Sequence, residues 1–210
     1  QLLIFLTLLY SACILYVGFI PVQGDFVQII VPYSFCFLVY LFLIKEKPYL
    51  NYFVLLIAVA ITLRFILIFS FPNLSDDVYR FIWDGRCMHH GINPYQYLPS
   101  EMIGKHDWLA AGLFEKLNSP NYFSIYPPIG QFVAYLATFF ETSSYYLESV
   151  LLKCFVFAAE VGSIFFGLKL LEHFGLSSHN ILIYALNPLI LLEIMGNIHF
   201  EGFMIFFILL

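Results

Sequence analysis

Residues 2–20 read LLIFLTLLYSACILYVGFI, and no charged side chain interrupts them. A helix of about 20 mostly apolar residues crosses a bilayer, because it pairs its own backbone groups inside the hydrocarbon. Residues 26–44 and 50–71 meet the same requirement. The first third of the chain therefore predicts three membrane-spanning helices. Residues 2–20 could instead be a signal peptide, but they lack a basic N-terminal region and further spans follow.

The composition of the 210 residues agrees with this prediction. Hydrophobic side chains make up 61% and charged ones 11%, whereas a soluble domain carries about 25% charged residues. Such a chain would aggregate in water, so a soluble domain, a disordered chain and a secreted disulfide scaffold are excluded. The formal net charge of −5 offers no basic surface for nucleic acid, which excludes that class of partner.

Further apolar segments follow a polar middle. They cover residues 147–170, residues 180–196 and a stretch from residue 202 that is still apolar at Leu210. Because the sequence starts without Met and stops inside an apolar segment, we expect a fragment that lacks C-terminal spans. The expected fold is an all-α polytopic transmembrane protein with three spans in residues 1–71, a large outer loop carrying membrane-surface helices in residues 72–146, and further spans in residues 147–210.

Basic residues in short loops predict the orientation, since they accumulate on the cytoplasmic side. Lys45 and Lys47 follow the second span, and Lys169 and His173 follow the fourth. Both loops should therefore be cytoplasmic, which places the outer loop in the periplasm, the cell exterior or the ER lumen. This orientation requires that residues 128–141 form a re-entrant or surface helix, because a tilted crossing there would invert everything downstream.

Charge concentrates in the outer loop. Of the nine basic and fourteen acidic residues, ten lie in residues 76–116. Residues 71–100 read FPNLSDDVYRFIWDGRCMHHGINPYQYLPS, in which Ser75 is a suitable helix N-cap. Asp76 and Asp77 then fall in the first helical turn, where carboxylates suit the helix dipole. Capping alone would explain the two carboxylates, yet their position at the lip of a membrane helix also fits an acid–base site.

Helical spacing extends this pattern along the predicted helix. Arg80 lies four residues before Asp84, so their side chains share one face. Carboxylates hydrogen-bond sugar hydroxyls and aromatic faces pack on sugar CH groups, so this surface suits a sugar, although a solvated helix face would look similar. A turn sequence at residues 91–95 should end the helix. The other candidate positions in this segment are Tyr79, Trp83, Arg86, Asn93 and Tyr95.

Two further motifs interrupt the apolar segments. Tyr126 and two prolines start the short apolar segment that contains Gln131. Pro188, preceded by Asn187, lies inside a span, where proline frees carbonyl groups that then need partners from protein or water. The polar residues that follow this break are Glu193, Asn197, His199 and Glu201.

Ionisable groups inside a membrane are functional hypotheses by default. Arg64 lies about 10 Å from the outer end of its span at 1.5 Å per residue. It could snorkel outward, form a structural ion pair, pair with Asp76 or Asp77, or hold a lipid phosphate. Glu160 is expected to be a structural hydrogen-bond partner.

Taken in order, these motifs resemble the GT-C superfamily of multi-spanning glycosyltransferases that use polyprenyl-phosphate sugars. The similarity covers about residues 65–210 and is strongest to the mannosyltransferase branches. It implies an all-α membrane fold, a catalytic Asp on the first large outer loop, a lipid-phosphate sugar donor and inversion at the anomeric carbon. Many members have Asp-x-Asp or Glu-Asp where this chain has Asp76 and Asp77, so either could be the base. Alignment on Tyr79 and Asp84 favours Asp76.

The resemblance also implies roles for the remaining residues. Arg80, Arg64 and His199 would neutralise the departing phosphate. The partners would be a polyprenyl-phosphate sugar, a glycan or glycolipid acceptor and membrane lipid, and no cofactor is certain, although a divalent metal could bridge a carboxylate and the phosphate. The remaining expected substrate-binding residues are Tyr79, Trp83, Asp84, Arg86, Asn93, Tyr95, Tyr126, Gln131, Glu193, Asn197 and Glu201.

The implied location is the cytoplasmic (inner) membrane with the site facing outward, or the ER membrane in a eukaryote. Two other classes of protein stay open at this point. A secondary transporter would also keep ionisable residues and broken helices in its spans. A non-catalytic membrane scaffold would use the two carboxylates only to cap a helix.

Overall fold

The structure is a computed structural model that describes residues 1–45, 52–105, 111–140 and 144–210. Within these ranges all regular secondary structure is helical, so the predicted all-α class is confirmed. The helices are α1 (Leu2–Phe19), α2 (Phe26–Lys45), α3 (Phe53–Leu67), α4 (Asp77–His89), α5 (Pro99–Met102), α6 (Ala111–Phe114), α7 (Pro128–Ala137), α8 (Tyr145–His173), a 3₁₀ turn (Ser178–Ile181), α9 (Leu182–Ala185), a π-helix (Ile190–Gly196) and α10 (Glu201–Leu209).

Three of these helices, α1, α2 and α8, are long and apolar enough to cross a membrane. A fourth span is formed if residues 178–185 and the π-helix are counted together, although they are bent by 60° at the break between them. The predicted span 50–71 is helical only over the 15 residues of α3. Lys47 and the first residues of that span lie outside the described residues. The chain is an integral membrane protein.

Contacts divide the chain into two compact units. The first contains residues 1–74 and 153–210, and the second contains residues 75–152. The first unit holds α1, α2 and α3 together with the broken span, and the second holds the charged segment with α4 and α7.

The break in the first unit occurs where proline was expected to interrupt a span. Pro188 has no N–H to donate, and α9 ends just before it. The N–H of Leu189 donates to Oδ1 of Asn187 at 2.9 Å instead of continuing the helical pattern. Carbonyl groups at the end of α9 therefore lose their helical donors and need other partners.

Side chains of other helices supply those partners. Backbone groups left unpaired in a membrane cost several kcal/mol each, so these contacts decide whether the break is tolerated. The predicted requirement for protein partners at this break is confirmed. The donors are the Tyr10 hydroxyl to the Leu186 carbonyl at 2.5 Å, Nη1 of Arg64 to the Ala185 carbonyl at 2.6 Å and the Tyr40 hydroxyl to the Ile183 carbonyl at 2.8 Å.

Arg64 also forms a buried ion pair with Glu160. Its Nε lies 3.0 Å from Oε2 of Glu160, and both side chains are fully buried. The other carboxylate oxygen accepts the Tyr184 hydroxyl at 2.5 Å. The snorkelling alternative for Arg64 is therefore wrong, whereas the structural ion pair and the expected role of Glu160 as a hydrogen-bond partner are confirmed. Removing one member of such a pair costs about 3–5 kcal/mol.

Lys153 of α8 caps the end of α3. Its buried Nζ donates to the Leu67 carbonyl at 3.1 Å, and to the carbonyl and Oγ of Ser70 at 2.7 Å each. A cation at a helix C-terminus satisfies free carbonyls and suits the dipole. This contact fixes the end of α3 within the first unit.

In the second unit, α4 packs against α7. Gly85 lies at the contact, where an added Cβ would come within 2.4 Å of the Thr138 Oγ1 and 2.5 Å of the Ala134 carbonyl. Only glycine allows the two helices to approach this closely. The approach buries Val133, Ala134 and Ala137 of α7, and so places the polar face of α4 beside the start of α7.

Replacing Gly85 with Ala should force α4 and α7 apart. We expect the free energy of unfolding to fall by about 1–3 kcal/mol, the usual cost of overpacking. The measurement is denaturant unfolding of the purified protein in detergent. Gly24→Ala is the matched control, since nothing lies within 4 Å of its added Cβ. Equal stability of the two variants would contradict the packing argument.

Candidate active site

Asp76 and Asp77 lie at the start of α4, but the N-cap residue differs from the prediction by one position. The helix begins at Asp77, and its N-cap is Asp76 rather than the expected Ser75. Oγ of Ser75 accepts the N–H of Asp77 at 3.3 Å, so the serine still pairs one free N–H group. The side chain of Asp76 makes no capping hydrogen bond and is exposed. Helix capping therefore does not occupy the Asp76 carboxylate.

The neighbouring carboxylate of Asp77, unlike that of Asp76, accepts hydrogen bonds from two side chains of the second unit. Its Oδ1 accepts Nδ2 of Asn118 at 2.9 Å, and the Tyr126 hydroxyl also hydrogen-bonds to it. Burial raises the pKa of Tyr126 and the Asp77 charge raises it further, so the phenol stays protonated and donates. Asp77 thus fixes Asn118 and Tyr126 beside the start of α4. The carboxylate of Asp76, in contrast, is exposed and makes no capping hydrogen bond.

A buried polar network lies one turn along α4. Nε of Arg80 donates to Oδ1 of Asp84 at 2.8 Å, which confirms the expected pairing four residues apart. The other oxygen of Asp84 accepts the Ser124 hydroxyl at 2.5 Å and Nε2 of Gln131 at 2.8 Å. Burial raises the pKa of Asp84, and the Arg80 guanidinium and the hydrogen bonds act in the opposite direction. Because Arg80 and Gln131 can only donate here, the geometry fits an ionised Asp84.

Arg80 also fixes the loop that precedes α7. Its Nη1 donates to the carbonyls of Ser119 and Tyr122 at 3.1 and 3.0 Å. Nη2 of Arg80 and Oε1 of Gln131 are buried and have no hydrogen-bond partner within the described ranges. Among the described residues, this network therefore keeps one unpaired donor, Nη2 of Arg80, and one unpaired acceptor, Oε1 of Gln131.

The turn after α4 meets the same loop. Gly91 has a φ of +71°, so the helix ends where the turn sequence predicted. Oδ1 of Asn93 accepts the N–H of Tyr95 at 3.0 Å, and the Tyr95 hydroxyl donates to the Tyr126 carbonyl at 2.5 Å. Tyr126 therefore joins the turn through its carbonyl and the acidic pair through its hydroxyl.

The other candidate residues of α4 and the turn after it include both buried and accessible side chains. Trp83 is 1% exposed and packs near Phe114, so it lies in the core of the second unit. Arg86 forms a bidentate ion pair with Glu148, with Nη2 to Oε1 at 2.8 Å. Tyr79 is half-buried, and Nζ of Lys116 lies 5.2 Å from its ring centroid. Tyr79 and Tyr95 are thus the aromatic residues among these candidates that a ligand could reach.

The first unit carries a second polar cluster after the broken span. The His199 ring lies between two carboxylates, with Nε2 3.6 Å from Glu193 and Nδ1 3.7 Å from Glu201. Nδ2 of Asn197 donates to the same oxygen of Glu193 at 3.1 Å. Ile198 has a φ of +62°, which costs a β-branched residue about 1–3 kcal/mol. The four residues expected after the break thus lie close together within this unit.

In the parts of the chain that the structure describes, no group of three or more His, Cys, Asp and Glu side chains could hold a metal ion.

Comparison with known protein families identifies the family of this chain. A family model described as alpha-(1->6)-mannopyranosyltransferase, N-terminal domain (the MptA_B family), matches residues 40–210. The chain belongs to this family. No curated protein and no solved structure matches the chain. The resemblance to GT-C mannosyltransferases is confirmed, and the protein is a membrane glycosyltransferase.

Several contacts of this mannosyltransferase involve residues that sequence reasoning missed. Ser124 and Asn118 lie in a loop without any motif, so only the fold brings them to Asp84 and Asp77. Glu148 was within reach of sequence reasoning, because a carboxylate at the start of a predicted span needs a partner. The same reasoning selects Lys153, a cation inside the apolar segment of residues 147–170.

Replacing Asp84 with Asn should destabilise the mannosyltransferase. The amide would set an N–H₂ group against a donor from Arg80 or Gln131 and remove the charge that pairs with Arg80. We expect a loss of about 3–5 kcal/mol, as for other broken buried pairs, measured by unfolding in detergent. Ser124→Ala removes a single hydrogen bond and should cost about 1 kcal/mol. An Asp84→Asn protein as stable as Ser124→Ala would contradict this role.

Proposed function

We propose that this mannosyltransferase moves mannose from a polyprenyl-phosphate donor to a hydroxyl of a glycan or glycolipid, with inversion at the anomeric carbon. The observation that carries the proposal is the exposed carboxylate of Asp76 at the start of α4, which makes no capping hydrogen bond. A general base must bring a carboxylate oxygen within hydrogen-bond reach of the acceptor hydroxyl, and Asp77 already accepts hydrogen bonds from Asn118 and Tyr126. We therefore assign the base to Asp76 and a supporting role to Asp77.

The chemistry requires few groups from the protein. The acceptor oxygen bonds to the anomeric carbon while the bond from that carbon to the phosphate oxygen breaks. The acceptor proton goes to Asp76, and polyprenyl phosphate leaves as an anion that needs no general acid. Attack opposite the phosphate inverts the centre, so a β-linked donor would give the α linkage that the family description names. That description also favours a 6-hydroxyl as the acceptor.

The departing phosphate needs positive charge near it. Arg80 is the candidate in the second unit and would supply this charge from beneath the surface, because its buried Nη2 lacks a partner within the described residues while its other donors fix the guanidinium. Charge-assisted hydrogen bonds to phosphate are about twice as strong as neutral ones. Arg64 does not serve this role, because its guanidinium pairs with Glu160. Tyr79 and Tyr95 would contact the sugar.

The orientation proposed from the basic loops places this chemistry on the outer face of the membrane, with Lys45 and Lys169 on the cytoplasmic side. A donor anchored in the outer leaflet by its polyprenyl chain would then reach the start of α4 from the lipid. Anchoring both donor and enzyme in one membrane supplies proximity. The cytoplasmic membrane of a bacterium is the proposed location.

Asp76→Asn should nearly abolish transfer while Asp77→Asn should not. Loss of a general base lowers the rate by about 10²–10⁴-fold, whereas Asp77→Asn keeps an oxygen for Asn118 and should lower it by about tenfold or less. The measurement is transfer of radiolabelled mannose from polyprenyl-phosphate-mannose to a mannoside acceptor by the purified protein in lipid.

Glu101→Gln serves as the control, because this exposed carboxylate caps a short helix in the same unit. A parallel reaction with nucleotide-linked mannose identifies the donor class, and NMR of the product gives the linkage and its anomeric configuration. Full activity of Asp76→Asn, or transfer from the nucleotide donor alone, would overturn the proposal.

A further inference from the structure

One uncharged stretch of the second unit exposes large apolar side chains. Residues 117–140 contain no charged residue and no histidine. From position 122 to position 140, every exposed residue is aromatic, aliphatic or proline. Exposed apolar area of this kind, without interspersed charge, marks contact with a membrane or with another molecule. The large residues, which we call the apolar surface, are each more than half exposed, and they are Tyr122, Phe123, Ile125, Phe132, Phe139 and Phe140.

The first part of the apolar surface lies on the loop that precedes α7, and the polar network of α4 holds this loop. Ser124 is buried and its hydroxyl donates to Asp84 at 2.5 Å, while Arg80 donates to two backbone carbonyls of the same loop. On either side of Ser124, the side chains of Phe123 and Ile125 are 51% and 86% exposed. The loop thus turns its polar groups inward and its apolar groups outward, which is the informative exception to ordinary burial.

The second part of the apolar surface belongs to α7 and the residues that follow it. With 10 residues, α7 is about 15 Å long and cannot cross a hydrocarbon core of about 30 Å. Val133, Ala134 and Ala137 are buried within the unit, whereas Phe132 is exposed. The helix is therefore apolar on its inner and its outer side. A helix of this kind belongs in an apolar environment rather than in water.

The chain leads from the apolar surface directly into a membrane span. Helix α8 begins at Tyr145, five residues after Phe140, so the two residues lie within about 18 Å of each other. Helix α8 has 29 residues and is about 44 Å long, which matches the thickness of a bilayer with its headgroup layers, about 40–45 Å. The first residues of α8 therefore reach the headgroup layer, and the end of the apolar surface lies close to it.

We propose that the apolar surface docks on the lipid bilayer, with Phe123, Ile125 and Phe132 inserted at the boundary between headgroups and acyl chains. Aromatic side chains favour this boundary, and an interfacial segment buries its apolar face there by about 5–10 Å. The inference goes beyond the proposed function and does not depend on the donor or on the base. It makes the second unit a membrane-surface unit that is held by this loop and α7 as well as by α8.

The test replaces single exposed side chains of the full chain with the photoreactive residue p-benzoylphenylalanine. The protein is reconstituted in vesicles of phosphatidylethanolamine and phosphatidylglycerol, without any polyprenyl lipid, and the probe positions are Phe123, Ile125 and Phe132. Tyr97 is the matched control, because it is an aromatic residue of the same unit that is 50% exposed but lies outside the apolar surface. After irradiation, mass spectrometry of the peptides separates phospholipid adducts from crosslinks to protein.

We expect about tenfold more phospholipid adduct at Ile125 and Phe132 than at Tyr97, because only the former positions would reach the acyl chains. A crosslink from Ile125 to another protein segment or to a second copy of the chain would overturn the proposal, since protein and not lipid would then cover the surface. Absence of adduct at all three probe positions, or an equal yield at Tyr97, would overturn it as well. The strong exposure of Ile125 and the aromatic replacement at Phe132 keep these variants folded.

Discussion

The fold depends on one constraint, that every backbone polar group inside a membrane must find a partner. Regular helices meet it by themselves, but the span broken at Pro188 does not. Its freed carbonyls are paired by side chains from α1, α2 and α3, so a local defect in one helix connects four segments of the first unit. The ion pair between Arg64 and Glu160 adds to the same cluster. The break is therefore tolerated only because the surrounding helices stabilise it.

The second unit must also pair a buried polar group, the carboxylate of Asp84. Burying this carboxylate without partners would cost free energy, but Arg80, Ser124 and Gln131 donate hydrogen bonds to its two oxygens. This network holds the loop before α7 against α4. These polar residues pair with one another, whereas the Asp76 carboxylate is exposed and makes no capping hydrogen bond.

Much of the fold followed from simple periodicity and composition. The apolar segments predicted α1, α2 and α8 within one or a few residues, and the pairing of Arg80 with Asp84 followed from helical spacing. The candidate site was harder to predict from the sequence. Residue type and spacing could not separate a tryptophan that packs in the core from a tyrosine that stays accessible, as Trp83 and Tyr95 show. That distinction depends on which face of each helix another element covers.

The sequence by itself determined that this is an all-α membrane protein with a charged central segment and a proline-broken span, and its motifs indicated the mannosyltransferase family. Those properties depend on local hydrophobicity and order along the chain. Only the tertiary structure decided that Asp77 accepts a hydrogen bond from Asn118, that Arg64 pairs with Glu160, and that Tyr10 pairs a carbonyl of the broken span. Each joins residues from about 40 to 176 positions apart or depends on such a contact, and local patterns carry no information about which distant groups the fold brings together.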